Sequence, residues 1–330
     1  LIITRQKLIQ IAHDEARRRS VSGDVISAFL IGSVVGEEPL LGGATDVDIV
    51  LIHSERPKVG REFIPLSNDV HIDVIHHAHG LYARPRKLRI HPWLGPSIAE
   101  PIFLHDPDHF FEWAQASVRG QFHRLDHVVA RSRAFLSRAR RLKSQLEQSS
   151  NWLLTYLQIA LEGANAAASL IGPPACGRRL TLILEQRLHS LDQPALFDRF
   201  MKLLGAQSLD QERFPETLQA WQHAFEAASE ISTDLELQPC RLPYHLQAFQ
   251  ALAEAGRHET AAWTLLATWA IAMHALHSNA KNAPHHEAWE QTLDGLQLTS
   301  RHAHARTTAL EGFLDQVERT LEAWSSEHGE

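Results

Sequence analysis

Apolar residues recur in steps of three and four from Thr4 to Ser20, at Leu8, Ile9, Ile11, Ala12 and Ala16, and this spacing predicts a helix. Gly23-Asp24 interrupts it. The run Val25-Ile-Ser-Ala-Phe-Leu-Ile31 then has the length and composition of a buried strand that stops at Gly32-Ser33. Three more short β-branched runs follow, at Asp46 to His53, Val70 to His76 and Pro101 to His105, each bounded by Gly, Pro, Asn or Asp. Between Gly80 and Glu100 the pattern is partly helical, broken by Pro85, Pro92 and Pro96. After Asp108 the period changes to that of helices, with breaks at Ser149-Ser150, Gly172-Pro-Pro174, Gly205, Pro239 to Pro243, Gly256 and Pro284. The expected architecture is α+β: a small mixed-sheet domain over 1–107, then an all-α helical-bundle domain over 108–330. The helical part has a candidate division into two bundles near 206–210.

Composition adds little to this outline but narrows the class. The chain has 330 residues, 44% hydrophobic and 22% charged, enough for two domains with their own cores. Two cysteines far apart, Cys176 and Cys240, exclude a disulfide scaffold or a cysteine-rich zinc site. With no signal-peptide pattern, they predict a reducing, cytoplasmic location. The longest apolar run, Ala261 to Leu276, contains Thr264, Thr268 and His274 and falls short of the roughly 20 residues a span requires; a buried helix is expected, and no membrane partner. The formal charge of −7 is unevenly spread: residues 84–143 carry 12 basic and 5 acidic groups, and residues 144–330 carry 12 basic and 23 acidic. General nucleic-acid binding is not expected of so acidic a chain, but one local basic surface is.

The candidate chemistry lies in Ile31-Gly-Ser-Val-Val-Gly-Glu-Glu-Pro-Leu-Leu-Gly-Gly-Ala-Thr-Asp46-Val-Asp48-Ile-Val-Leu-Ile52. In a strand, residues i and i+2 share a face, so Asp46 and Asp48 project together while Val47, Ile49 and Leu51 face the other way. Adjacent carboxylates repel, and a cation between them removes the conflict. Hard oxygen donors at this spacing suit Mg²⁺. Asp73, in Val70-His-Ile-Asp73-Val-Ile75, supplies a third carboxylate if its strand neighbours the second. Three such groups suffice for two divalent ions of the kind that serve phosphoryl transfer. The Gly32-Ser33 turn allows close approach of a phosphate to backbone N–H groups, and Ser33 adds a hydroxyl. Read without these coincidences, Asp46 and Asp48 would be solvent-facing acids and Asp73 a chance third.

Gly32-Ser33, twelve residues, Asp46-Val-Asp48-Ile and then Ile72-Asp73-Val74 together resemble the signature of the DNA polymerase β-like nucleotidyltransferase superfamily. The style is that of small bacterial enzymes with a minimal catalytic domain and a helical C-terminal domain, such as the aminoglycoside and lincosamide nucleotidyltransferases. The resemblance covers residues 25–76. It implies that Asp46 and Asp48 bind two Mg²⁺ ions gripping a nucleoside triphosphate, that Asp73 binds the catalytic metal or acts as base, and that Gly32 and Ser33 hold the terminal phosphates. It implies an Mg²⁺-dependent enzyme that transfers a nucleoside monophosphate, with ATP the candidate donor, to a hydroxyl with release of pyrophosphate. A small-molecule acceptor is expected; a protein or RNA acceptor, as in toxin–antitoxin pairs, and a non-catalytic nucleotide-binding module are the alternatives. The chain departs from the pattern after the turn, where many relatives carry a basic residue and this one has Val34, Val35, Glu37 and Glu38.

The helix over 151–171 is apolar nearly all round, with a polar stripe at Thr155, Gln158, Glu162, Asn165 and Ser169; the stripe is either a thin solvent-facing edge or an acceptor-binding surface in which Glu162 contacts the substrate. The basic groups fall into two clusters, Arg84, Arg86, Lys87, Arg89 and Arg131, Arg133, Arg138, Arg140, Arg141, Lys143. Salt-bridging to the acidic C-terminal region is the plainer expectation for both, and contact with phosphates the other. His76, His77 and His79 are expected at a strand end rather than around a metal.

Overall fold

The computed structural model describes residues 3–21, 23–277 and 283–329. The chain divides into two compact units, Leu1–His127 and Val128–Glu330. The first is built on a five-stranded mixed sheet of β1 (Val25–Ile31), β2 (Thr45–His53), β3 (Arg61–Pro65), β4 (Val70–Ala78) and β5 (Ile102–His105), in the order β3-β4-β2-β1-β5. β2 and β4 run parallel, and every other pairing is antiparallel. Helix α1 (Arg5–Ser20) starts at Thr4, whose hydroxyl accepts from the Lys7 amide, as an N-cap should.

Alternation along the strands sends side chains to two cores. On one face, Leu8, Ala12 and Ala16 of α1 cover Ala28, Leu30, Val47, Ile49, Leu51, Ile72 and Val74. On the other face, Phe29, Val50 and Ile52 pack under Tyr82, Leu88 of α2 (Pro85–Leu88), Ile98 of α3 (Leu94–Ala99), and Phe111, Ala114 and Val118 of α4 (Phe110–Arg119). Phe111 stacks on Phe29 at 4.0 Å between ring centroids. Burying two such rings is worth about 2–3 kcal/mol each, which is why α4 stays with the sheet rather than with the helices that follow.

The strand over Arg61–Pro65 was not among the expected elements. It is five residues long, carries Arg61 and Glu62, ends in proline, and lies at the sheet edge, where a weak apolar signal is normal. β4 also runs two residues past the expected end, so His76 and His77 lie within the strand. There His76 Nε2 bonds Glu62 Oε1 at 3.0 Å, His76 Nδ1 bonds His53 Nε2 at 2.8 Å, and His77 Nδ1 bonds the Tyr82 hydroxyl at 2.8 Å.

The second unit is helical, taking in most of α5 (Leu125–Ser144) and then α6 (Trp152–Ala168), α7 (Leu180–Ser190), α8 (Pro194–Leu203), α9 (Phe214–Ser229), α10 (Arg241–Glu254), α11 (Ala262–Leu276), α12 (Ala283–Gly295) and α13 (Ala303–Glu327). α6 is central, as an all-round apolar helix must be. A Cβ on its Gly163 would lie 2.6 Å from Leu314 and 2.9 Å from Phe313, so α6 and α13 cross in direct contact. α11, the longest apolar run, is buried between neighbours, with Thr268 accepting from Trp221 Nε1 at 3.0 Å. Among the described residues no helix is long and apolar enough to cross a membrane. Two of the six basic residues of the α5 cluster pair with α13: Arg140 with Asp315 and Glu318, and Lys143 with Glu311.

Candidate metal centre

The parallel pairing of β2 with β4 sets Asp48 directly opposite Asp73 and Asp46 opposite His71. Asp46, Asp48 and Asp73 therefore share one sheet face, and each places a carboxylate oxygen within 4.8 Å of the others. Asp46 and Asp48 are half-buried and Asp73 is fully buried. Two carboxylates at that separation repel by about 3 kcal/mol at an effective dielectric of about 20. The fold keeps three, so positive charge has to reach them.

Part of it comes from Arg61. Its Nε donates to Asp73 Oδ1 at 2.9 Å and Oδ2 at 3.1 Å, and its Nη2 donates to Oδ2 at 2.6 Å. The guanidinium also stands over the Phe63 ring at 4.8 Å. This fork offsets the cost of burying Asp73 and fixes its rotamer. The four side chains sum to two negative charges, the charge a divalent cation balances.

The Gly-Ser turn adjoins the cluster. Gly32 has φ +76° and ψ −157°, a region open to glycine alone. A Cβ there would sit 1.8 Å from Asp48 Oδ2, so the missing side chain makes the space that the carboxylate occupies. Ser33 opens a short 3-10 turn, Ser33–Val35. Its hydroxyl lies 3.2 Å from that of buried Thr45, which in turn donates to the Pro39 carbonyl at 3.0 Å. Arg5 clamps the far side of the turn, with Nε donating to the carbonyls of Val34 (3.0 Å) and Gly36 (2.7 Å) and Nη2 to that of Val35 (2.9 Å). Arg5 supports the backbone where the expected basic residue after the turn is missing.

The donor set fits Mg²⁺: converging carboxylates, hydroxyls alongside, and no sulfur or imidazole among the three candidate ligands. Sequence reasoning reached Asp46, Asp48, Asp73, Gly32 and Ser33. It missed Arg61, Thr45 and Arg5, because no local pattern marks an arginine whose partner is 12 or 29 positions away.

Glu162 lies in the second unit, on α6. Its side chain is fully buried, so a solvent-facing edge is not what the stripe forms here; Asn165 and Ser169 are buried as well. Glu162 Oε1 meets Arg138 Nε at 3.1 Å and accepts from Gln158 Nε2 at 2.7 Å, while Oε2 is buried with no hydrogen-bond partner among the described residues. Burial pushes its pKa up, outweighing the opposing pull of Arg138. A raised folded-state pKa means the native protein binds this proton more readily than the unfolded chain, so stability falls as pH rises through it. Glu162→Gln removes that dependence. The variant is expected to unfold at higher urea than wild type at pH 7, and the gap should narrow as pH falls towards the ordinary glutamate value; a gap that widens on acidification contradicts this account.

Comparison with protein-family models and with curated proteins returned no match to this chain.

Proposed function

We propose that the first unit is a nucleotidyl-transfer domain: it binds a nucleoside triphosphate, ATP being the first candidate, and moves the nucleoside monophosphate onto a hydroxyl of a small acceptor. One observation carries this reading, the convergence of Asp46, Asp48 and Asp73 within 4.8 Å beside a glycine turn that only glycine can form. Asp46, Asp48 and Asp73 would hold magnesium, which when bound neutralises triphosphate charge and polarises the reacting phosphate. A second ion would enter with the charge of the phosphates themselves. Gly32 and Ser33 are assigned to the terminal phosphates: the turn brings backbone close, and the Ser33 hydroxyl can turn from Thr45 to a phosphate oxygen.

In the proposed reaction the acceptor oxygen attacks the α-phosphorus as the bond to the bridging oxygen breaks and pyrophosphate leaves. The hydroxyl proton passes to a carboxylate of the cluster. Arg61 acts by holding Asp73 in place, and catalysis rests on positioning and charge.

Pyrophosphate release, screened over four triphosphates with Mg²⁺ and a panel of hydroxyl acceptors, tests the proposal. Release that requires one triphosphate and one acceptor together is expected. No release with any pair, combined with a triphosphate-induced thermal shift that persists in Asp46→Asn, makes the protein a non-catalytic binder instead.

A further inference from the structure

The two basic clusters have different fates. On α5, Arg140 and Lys143 are met by carboxylates of α13 and Arg138 by Glu162. The other cluster lies in residues 74–99, a stretch without a single Asp or Glu. There Arg84, Arg86 and Lys87 are exposed, and no ion pair is formed by any of them among the described residues. Arg89 anchors the segment to α4, its Nε donating to the Ser117 carbonyl at 2.7 Å and its Nη1 to Gln121 Oε1 at 3.0 Å. At the other end of the segment His79 packs its ring edge-on to Phe110, the first residue of α4, at 6.5 Å. The basic segment is thus tied along the helix face that carries Phe110, Trp113 and Ser117, positions three and four apart. Trp113, between the two ties, is 62% exposed. The preceding carboxylate, Glu112, is engaged by His109 Nδ1.

An indole left in water on the helix to which this basic segment is tied costs solvation and serves no core. We propose that Trp113 with Arg84, Arg86 and Lys87 forms a binding surface for single-stranded nucleic acid, the cations taking backbone phosphates and the indole stacking on a base. This pairing of charge with a flat aromatic is what sequence-independent single-strand binding needs. A membrane surface fits less well: α2 is four residues long and cannot present an apolar helix face. A duplex fits less well too, since its stacked bases leave the indole without a partner. The surface is made without any member of the Asp46–Asp48–Asp73 cluster, and the inference stands or falls apart from the transferase reading.

Fluorescence anisotropy of labelled single strands of about twelve nucleotides tests it. RNA and DNA are run in parallel, with a duplex and anionic phosphatidylserine vesicles as competing arms. The full-length protein is expected to bind a single strand, with log K falling against log salt at a slope of about −2 for three phosphates. Arg84→Gln/Arg86→Gln/Lys87→Gln should abolish most of that slope and weaken binding at least about tenfold at low salt. Trp113→Ala should weaken binding by about tenfold with the slope kept. All four positions are exposed, so unchanged thermal unfolding is expected of both variants, and Asp46→Asn should bind like wild type. RNA preferred over DNA identifies the 2′-hydroxyl as read; equal binding identifies the shared backbone. No single-strand binding at about 50 mM salt, equal affinity in both variants, or binding confined to vesicles or to duplex overturns the proposal.

Discussion

Asp48→Asn is expected to cut pyrophosphate release at least about a hundredfold, because in the proposed reaction the lost charge would act at the phosphates undergoing transfer. The same change should make the metal-free protein more stable. Asp48 faces Asp73 directly across β2 and β4, and one carboxylate fewer relieves repulsion of about 3 kcal/mol. Asp73→Asn should kill activity equally and do the reverse to stability. It strips Arg61 of the carboxylate it grips through three bonds, a loss of about 2 kcal/mol. Urea unfolding with and without Mg²⁺ separates the cases: wild type gains stability from the ion and both variants gain none. If the two substitutions shift the midpoint in the same direction, the assignment of Arg61 as the residue that stabilises the Asp73 carboxylate is wrong. If release survives Asp48→Asn, the cluster is not the reaction centre.

Gly32→Ala is expected to be the most disruptive single-methyl change in the first unit. The added carbon would have to share space with Asp48 Oδ2, 1.8 Å away, in a backbone region that costs non-glycine residues of order 1–3 kcal/mol before any clash. Relief requires either the turn or the carboxylate to move. Stability should fall by about 3 kcal/mol or more, and triphosphate binding should be lost even where the protein is still folded. Gly23→Ala is the control. Gly23 also has positive φ, +76°, but its added carbon meets nothing within 4 Å, so only the backbone strain remains and the site is untouched. Comparable losses of triphosphate binding in both would locate the effect in general folding rather than at the turn.

What could be read from the chain and what could not divide along sequence separation. β1, β2, β4 and β5 were legible because each is a short apolar run ended by its own turn residues, and α6 and α11 because an all-round apolar helix has no option but burial. The carboxylates were legible for a related reason: period-two geometry puts Asp46 and Asp48 together without reference to anything else, and a third acid in a like strand invited the pairing. β3 was not, since five residues containing arginine, glutamate and proline look like a loop until β4 is beside them. Arg61 and Arg5 were invisible because an arginine carries no sign of where its guanidinium will reach. The Gly32–Asp48 fit was half visible: the glycine could be flagged, but the oxygen filling its vacant Cβ position belongs to another strand.

Arg61 sits on β3, which pairs with β4 on one side only. Terminal strands open to solvent far more often than interior ones, on free energies well below that of global unfolding. Each such opening would release Asp73 from its guanidinium while β2 and β4 stay paired, so the first thing to come apart would be the charge balance of the cluster, not its scaffold. Amide exchange along Arg61–Pro65 should therefore track the ordering of the cluster, slowing when a cation occupies it, while the amides of β1 report only the persistence of the sheet.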